Sequence, residues 1–529
     1  MNYLIITIII MLAYIWVKSK KSLHMLQQNW YNDGNRYLKW ILKNINYVFI
    51  EIDSAFVMFI AFLFINPTLA IILAGIFYLL DIFLTRNKHK NEQKKLTLVI
   101  TKRIKRLILT TYILYLIPII TILLTYNENY ITAYFLILGA LIYLNYFMVM
   151  LANIINKPVE KQVFLHYRRL AKKKLKSMHN LDVIGITGSY GKTSSKNILN
   201  DILNVKLNSF ATPKNFNTPY GLINSINNYL DKFSDTFIAE MGAFRKGEIK
   251  ELCDLVNPKY GILTKIGTAH LDSFGSRENV MEGKFELIES LPSDGLGILN
   301  YDDEYQVKYK LKNKVKIKTV AIDNEDADLV ASNIKMSKNG TSFDVLFKSE
   351  NKKYKFETIL LGRANIYNIL AALALGEHLG LTKEQLQLGV KKVSVIENRL
   401  ELKQLGDVTL INDAYNSNPV GSKMALEVLD MMKGKKIIIT PGMIELADLE
   451  YELNFKFGQY IAEVCDEVIL VGQKQTKPIY EGLMSKKYKE KNIHILNDVK
   501  KAIALVNTLK EGDTYLLIEN DLPDIFNEK

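Results

Sequence analysis

Residues 184–194 read IGITGSYGKTS, a short apolar run followed by a glycine-rich turn and a Lys-Thr pair. This order predicts a buried strand, a tight loop and the first turn of a helix. Such a loop holds phosphate with its backbone N–H groups and the helix N-terminus, while Lys192 reaches the outer phosphates and the Thr193 hydroxyl binds Mg²⁺. The fit to the general Gly-x4-Gly-Lys-[Ser/Thr] pattern is imperfect, because Ile186 stands five residues before Gly191 where that pattern requires glycine. The stretch therefore predicts a variant phosphate-binding loop in an α/β domain.

The positive charge of the chain is confined to its first third. Residues 1–178 carry 23 Lys and Arg against 7 Asp and Glu, which leaves −3 for the rest of a chain of 529 residues with net charge +13. A nucleic-acid partner would need a basic surface on the folded domains, so we expect none. The two cysteines, Cys253 and Cys465, are too few for a four-cysteine zinc site or a disulfide framework.

The same N-terminal third is strongly apolar. Two basic loops, 18–45 and 86–106, lie between apolar runs, and each run has a length near the ~20 residues needed to cross a bilayer. The positive-inside rule then places both loops, and everything after residue 153, in the cytoplasm. We therefore expect residues 1–155 to form a five-helix transmembrane region that anchors the protein in the cell membrane. The five runs are 2–17, 46–65, 68–85, 107–125 and 130–152.

Residues 156–180 form a basic amphipathic linker. Two interpretations of this segment stay open: a helix lying on anionic lipid headgroups, or a solvated basic connection.

From residue 181 onward, short apolar strands alternate with amphipathic helices, which is typical of a mostly parallel α/β sheet. Glu240 ends one predicted strand, and His270 follows another, so both are candidate site residues. Lys284 lies on the apolar face of a predicted helix over 278–291. It is either a lysine that extends out of the core edge or a partly buried amine with a lowered pKa. A neutral amine of that kind can react with CO₂ to give a carbamate.

Several ordered segments resemble the Mur ligase family, whose members join carboxylates to amines with ATP. The match covers about 181–529 and implies a P-loop central domain over 181–397 and a Rossmann-like C-terminal domain over 398–529. Within the family, residues 412–419 and 441–446 are most similar to the branch that adds D-alanyl-D-alanine to a muramoyl tripeptide. The segments that carry the resemblance are 187–193, 214–222, 239–243, 266–276, 299–303, 398–401 and 412–419.

The resemblance implies a role for each matching position. Lys192, His270 and Lys284 would be catalytic, with Lys284 carbamylated to help hold the second of two Mg²⁺ ions. The metal ligands would be Thr193, Glu240, His270 and Lys284. The ATP-binding residues would be Gly188, Ser189, Gly191, Lys192, Thr193, Ser194, Asn365, Asn368, Arg399, Asp413 and Asn416. Ala364 departs from the family, in which histidine is usual, and this departure concerns only the adenine contact.

The resemblance also implies a reaction through an acyl phosphate, which an amino acid or dipeptide amine then attacks. The soluble members carry an N-terminal domain that binds UDP, whereas apolar runs occupy that part of this sequence. We therefore expect an envelope precursor that is lipid-linked or otherwise near the membrane. Three alternatives stay open: a membrane-anchored ligase of the nucleotide-linked muramoyl tripeptide, a polyglutamate-type synthase, and a non-catalytic nucleotide-gated membrane scaffold.

Overall fold

The chain forms two compact units, Met1–His166 and Tyr167–Lys529. The computed structural model describes residues 2–49, 66–91, 97–125, 127, 130–267, 271–337, 339–414, 418–444 and 446–520.

The described part of the first unit is mostly helical. Its helices pack around two clusters of buried apolar side chains, one of which includes Tyr14, Tyr78 and Tyr115. Asn145 is fully buried at the break between its last two helices, and its amide donates to Ser19 Oγ and Tyr115 Oη. The helices are α1 (Asn2–Gln28), α2 (Lys39–Lys43), α3 (Ile45–Val48), α4 (Pro67–Asn91), α5 (Lys102–Leu124), α6 (Ile131–Tyr143) and α7 (Asn145–Ser177), with a π-helical turn at Asp33–Leu38.

Within the described residues, α1 and α5 are long and apolar enough to cross a membrane. A third span results if α6 and α7 count as one broken helix, since they are bent by 81° at Leu144. The run predicted at 130–152 is therefore interrupted, and the run at 68–85 lies in α4. The run at 46–65 lies almost entirely outside the described residues. The five-helix arrangement stays a prediction.

The basic segment 156–180 is mostly helical and continuous with the helical region. It forms the C-terminal part of α7, which runs without a break from Asn145 to Ser177. The boundary between the two units falls inside this helix, after His166.

The second unit begins with a nine-stranded sheet, in the order β2-β3-β1-β4-β5-β6-β7-β8-β9. It is parallel from β2 to β7, and β7, β8 and β9 extend it as an antiparallel meander. Strand β1 is buried along almost its whole length, as expected for a central parallel strand covered on both faces. The strands are β1 (Asp182–Thr187), β2 (Ser209–Ala211), β3 (Thr236–Glu240), β4 (Tyr260–Leu263), β5 (Leu296–Asn300), β6 (Lys316–Ala321), β7 (Leu329–Ser337), β8 (Gly340–Phe347) and β9 (Lys352–Thr358).

Helices cover this sheet and close its core. The helices are α8 (Lys192–Leu203), α9 (Pro219–Asn228), α10 (Glu248–Val256), α11 (Leu271–Phe274), α12 (Arg277–Glu289), α13 (Glu304–Lys308), α14 (Arg363–His378) and α15 (Lys383–Lys392). Helices α8 and α14 supply the largest share of the buried apolar cluster under the sheet, including Ile198, Ile202 and Leu370.

A six-stranded sheet follows, in the order β10-β11-β15-β12-β13-β14. All neighbours are parallel except β10, which pairs with β11 in the antiparallel sense. Its elements are β10 (Glu401–Leu405), β11 (Val408–Asp413), α16 (Pro419–Asp430), β12 (Lys435–Thr440), α17 (Glu450–Val464), β13 (Glu467–Val471), α18 (Lys477–Ser485), β14 (Ile493–Leu496), α19 (Val499–Leu509) and β15 (Thr514–Glu519).

The predicted fold class is confirmed: a helical region with apolar helices precedes two α/β domains. In the second of these domains, strands β11 to β15 alternate with helices, as the sequence pattern after residue 181 predicts.

Candidate active site

The loop between β1 and α8 is a tight phosphate cradle. A Cβ on Gly188 would lie 2.0 Å from Thr264 Oγ1, so only glycine fits this close approach. The Ser189 N–H donates to the Lys265 carbonyl at 2.9 Å, which ties the loop to the segment after β4. No side chain caps the first turn of α8, so its N–H groups face the loop. The cradle predicted for residues 188–194 therefore has the backbone arrangement that binds anions.

Lys192 lies folded over this cradle. Its Nζ donates to the Gly188 carbonyl at 2.7 Å and to the Ser189 carbonyl at 3.1 Å. Burial lowers the pKa of Lys192 to about 8; Glu240 opposes this shift and Arg399 adds to it. The ammonium is thus held at the mouth of the cradle, where it can meet a phosphate.

Glu240 ends β3 beside the cradle and is almost fully buried. Its Oε1 accepts from Thr193 Oγ1 at 3.1 Å and from Asn217 Nδ2 at 3.0 Å. Its Oε2 lies 3.0 Å from the Nζ of Lys196, a lysine that is itself buried. The carboxylate therefore has a hydroxyl and an amide on one side and a cation on the other.

The Thr193–Glu240 pair fits a magnesium ion. A hydroxyl and a carboxylate oxygen 3.1 Å apart are the hard donors that Mg²⁺ prefers, with phosphates and water completing its shell. The described residues hold no cluster of three or more His, Cys, Asp and Glu side chains that could bind a metal alone. Among the described residues, Thr193 and Glu240 are the pair that the structure brings together for Mg²⁺, and a bound nucleotide would add phosphate oxygens.

Lys284 is buried, with its side chain only 1% exposed. Its Nζ lies 3.4 Å from the Ala243 carbonyl and 5.3 Å from the Phe274 ring. Burial holds the pKa of Lys284 well below its usual range, and the Lys192 ammonium lowers it further. Of the two interpretations left open by the sequence, the structure shows the buried amine, which is the form that can react with CO₂.

A cavity of about 410 Å³ opens beside the cradle, between the two α/β domains. Gly191 and Ser194 line one wall, and Arg399 and Asp413 line the other. Asn365 and Asn368, both on α14, also line it together with Ala364. The structure therefore brings together most of the residues predicted to bind the nucleotide.

The C-terminal wall of this cavity carries a perturbed carboxyl group. Burial raises the pKa of Asp413 to about 6, and the Arg399 guanidinium acts against this shift. The Leu400 N–H donates to Asp413 Oδ1 at 3.2 Å, so the carboxylate also fixes the start of the C-terminal domain.

Two predicted site residues, His270 and Asn416, lie outside the described residues. Their roles stay predictions.

Sequence reasoning missed Lys196 and the role of Asn217. Lys196 follows Lys192 by four residues and so shares its helix face, which was the available signal. Asn217 lies in the segment 214–222, which resembles the Mur ligase family, but the resemblance assigned no role to this residue.

Two family models match this part of the chain: the Mur ligase middle domain over residues 186–376 and the Mur ligase, glutamate ligase domain over 398–518. The chain is 30% identical over 338 residues to the UDP-N-acetylmuramoyl-tripeptide–D-alanyl-D-alanine ligase of Bacillus subtilis, covering 63% of this chain and 72% of that protein. The Escherichia coli enzyme of the same name is 29% identical over 55% of this chain and 64% of its own length. The MurF ligase of Thermotoga maritima, solved in complex with ADP, matches with a TM-score of 0.61 and 27% identity over 68% of this chain and 81% of that one. The chain belongs to the Mur ligase family, the ATP-dependent, ADP-forming ligases that make amide bonds.

Proposed function

We propose that this protein is a membrane-anchored ligase of cell-envelope synthesis. It would activate the carboxylate of a peptide-bearing precursor with ATP and join it to an amino acid or dipeptide. The observation that carries the proposal is the phosphate cradle, with the Lys192 ammonium over it and the Thr193–Glu240 pair beside it. A cavity of about 410 Å³ adjoins the cradle, and the buried Lys284 amine lies within electrostatic reach of Lys192. A non-catalytic scaffold would need no buried amine of lowered pKa at this place.

The residues of the chain divide the chemistry between them. Backbone N–H groups of the cradle and the Lys192 ammonium hold the phosphates and offset the charge that develops in phosphoryl transfer. Thr193 and Glu240 would hold Mg²⁺, which supplies further charge neutralisation on the phosphates. Lys284, as a carbamate, would add a second carboxylate-type ligand. The cavity between the two domains keeps water from the activated carboxylate when those domains close.

The precursor that we favour is held at the membrane. The supporting observation is the first unit. Its helices α1 and α5 could each span a bilayer, and it carries the basic segments 18–45 and 86–106. Basic side chains next to a membrane attract anionic headgroups, and a lipid-linked precursor carries its phosphates at that depth. The catalytic domains would then act on the cytoplasmic face.

A second candidate is a membrane-anchored ligase that adds D-alanyl-D-alanine to the UDP-linked muramoyl tripeptide. It is favoured by the 30% identity to the Bacillus subtilis enzyme of that name. The chemistry at the cradle is the same for both candidates, and they differ only in the carrier of the carboxylate.

A substrate comparison separates the two. Full-length protein in nanodiscs would be given ATP and D-alanyl-D-alanine, with the tripeptide either on UDP or on a polyprenyl diphosphate in the same nanodisc. ADP release and the mass of the product would be measured. We expect the lipid-linked tripeptide to give the higher kcat/KM. Equal or better turnover with the UDP-linked tripeptide would overturn the lipid assignment and support the second candidate.

Two controls complete the comparison. L-glutamate replaces the dipeptide in one arm, and a ladder of added glutamates there would support a polyglutamate-type synthase instead. Lys192→Met, which lacks the phosphate-binding ammonium, should release no ADP in any arm. If wild-type protein also releases none with any carboxylate, the ligase proposal fails and the scaffold alternative stands.

A further inference from the structure

Lys196 is a buried cation that the proposed chemistry does not use. It lies on the second turn of α8, with its side chain 1% exposed. Its Nζ donates to the Lys214 carbonyl and lies 3.0 Å from Glu240 Oε2. A fully buried lysine is uncommon unless it is paired, and here its partner is the carboxylate of the metal site.

The pairing makes the two oxygens of Glu240 unequal. Oε2 faces the Lys196 ammonium, whereas Oε1 faces the Thr193 hydroxyl at 3.1 Å and the Asn217 amide at 3.0 Å. The Asn217 carbonyl also accepts from the Gly242 N–H, so the loop that carries this amide is tied to the chain just after β3. The carboxylate is thereby held in one orientation from three directions.

We propose that Lys196 is a positioning residue, the resident counter-cation of Glu240, which leaves a single carboxylate oxygen for a divalent cation and weakens cation binding until nucleotide phosphates arrive. The inference rests on the proposed function, because it takes Thr193 and Glu240 as the cation site.

Elementary electrostatics gives the direction of the effect. A buried ammonium at 3.0 Å cancels much of the carboxylate charge that would otherwise attract a metal ion. Without it, Glu240 would keep the hydrogen bonds from Thr193 and Asn217 to Oε1 but lose the cation paired with Oε2, and a divalent cation could take that place. Both oxygens could then bind the ion, as carboxylates do in tight cation sites. Removing the lysine should therefore strengthen cation binding in the nucleotide-free protein.

The test measures binding, not activity. Full-length protein in nanodiscs is titrated with Mn²⁺ and no nucleotide, and free Mn²⁺ is followed by electron paramagnetic resonance. The wild type is compared with Lys196→Met, which keeps the length of the side chain and removes its charge. We expect the variant to bind Mn²⁺ at least about tenfold more tightly. Equal or weaker binding by Lys196→Met would overturn the proposal.

Matched variants make the result specific. Lys206→Met removes an exposed lysine that follows the same helix, and it should leave Mn²⁺ affinity unchanged. Lys196→Arg retains the charge and should bind as the wild type does. The double variant Lys196→Met/Glu240→Gln removes both charges, so the tighter binding should disappear. A gain that persists in the double variant would place the new cation elsewhere and refute the proposal.

A second measurement tests the proposal even if the Lys196→Met variant is less stable than the wild type. If Lys196→Met unfolds at a lower temperature than the wild type, Mn²⁺ should restore its melting temperature by more than it raises that of the wild type. An equal rise in both proteins would count against the proposal. If no protein in the set binds Mn²⁺, even with ADP present, then the cation site itself is wrong and the proposed function fails with it.

Discussion

Replacing Lys284 by methionine should make the protein more stable and inactive. The lysine is buried, its Nζ has the Ala243 carbonyl 3.4 Å away, and the Phe274 ring lies 5.3 Å from it. Methionine keeps a similar length and removes the amine, so the apolar contacts of the side chain are largely retained. Opposite effects on stability and turnover would be unusual for a lysine whose role is structural.

The size of the stability change follows from the depressed pKa of Lys284. An unfolded lysine titrates near ~10.4, whereas burial and Lys192 hold the pKa in the folded protein well below that range. Below the unfolded pKa, folding must remove the proton or bury the charge, so the native protein is destabilised at pH 7. Exchanging a buried charge for an apolar side chain of similar volume gains about 1–4 kcal/mol in favourable cases. Each kcal/mol corresponds to roughly 2–4 °C in a domain of this size.

The assay compares melting temperature and ADP release for wild type and Lys284→Met in CO₂-depleted buffer. We expect the variant to melt several degrees higher at pH 7, with the difference shrinking toward pH 10. Turnover should fall by about two orders of magnitude or more, because a metal ligand is lost. Added bicarbonate should raise wild-type turnover and leave the variant unchanged. A variant that melts lower and still turns over would refute the reasoning.

The cradle and the cavity wall give three further expected outcomes. Because Lys192 has a pKa of about 8, the affinity of the protein for ADP without Mg²⁺ should fall about tenfold from pH 7 to pH 9. Calorimetry of the Lys192→Met variant should find a weak affinity for ADP that does not change with pH. Gly188→Ala puts a methyl group 2.0 Å from Thr264 Oγ1 and should abolish ADP binding. The control is Gly247→Ala, which also lies at positive φ but has open space around it, and this variant should still bind ADP. Asp413→Asn should raise the melting temperature at pH 8. The gain should begin to shrink below about pH 6 and disappear near pH ~4, where the carboxyl group is protonated in the unfolded protein as well.

Much of the second unit was predictable because its signals are local. Most of the parallel strands are short apolar runs, and Glu240 lies at the last position of one of them. The helical spacing of Val280, Leu287 and Ile288 placed Lys284 on a buried face, and the structure has it there. Periodicity identifies the face of a helix, and packing then settles whether a lysine on that face is buried.

The contacts of Lys196 could not be predicted in the same way. Its neighbours in α8, Ser195 and Asn197, are polar, so the local sequence is typical of an exposed turn. It is buried because β3 and the loop at Lys214 pack against that face of the helix. Such burial depends on residues about 20 to 45 positions away, which no local pattern reports.

The break between α6 and α7 was missed for a related reason. Residues 130–152 are predominantly apolar, so their mean hydropathy gives no sign of an 81° bend. The break falls at Leu144, and the amide of the next residue, Asn145, donates to Ser19 and Tyr115 on two other helices. A buried amide with partners on other helices stabilises a bend where composition predicts a straight span.

Residues 299–303 show that a family motif can be structural even when it lies close to the chemistry. Asp303 is fully buried and accepts from the Ile266 N–H at 2.8 Å, so it fixes the segment on which the phosphate loop rests. Asp302 accepts from Tyr367 Oη at 2.7 Å and from the N–H groups of residues 322–324, which joins α14 to the end of β6. Both oxygens of each carboxylate accept hydrogen bonds from the surrounding fold. The family resemblance therefore identifies two kinds of residue, those that hold the site in shape and those that take part in the chemistry. The hydrogen-bond partners of each residue distinguish the two kinds.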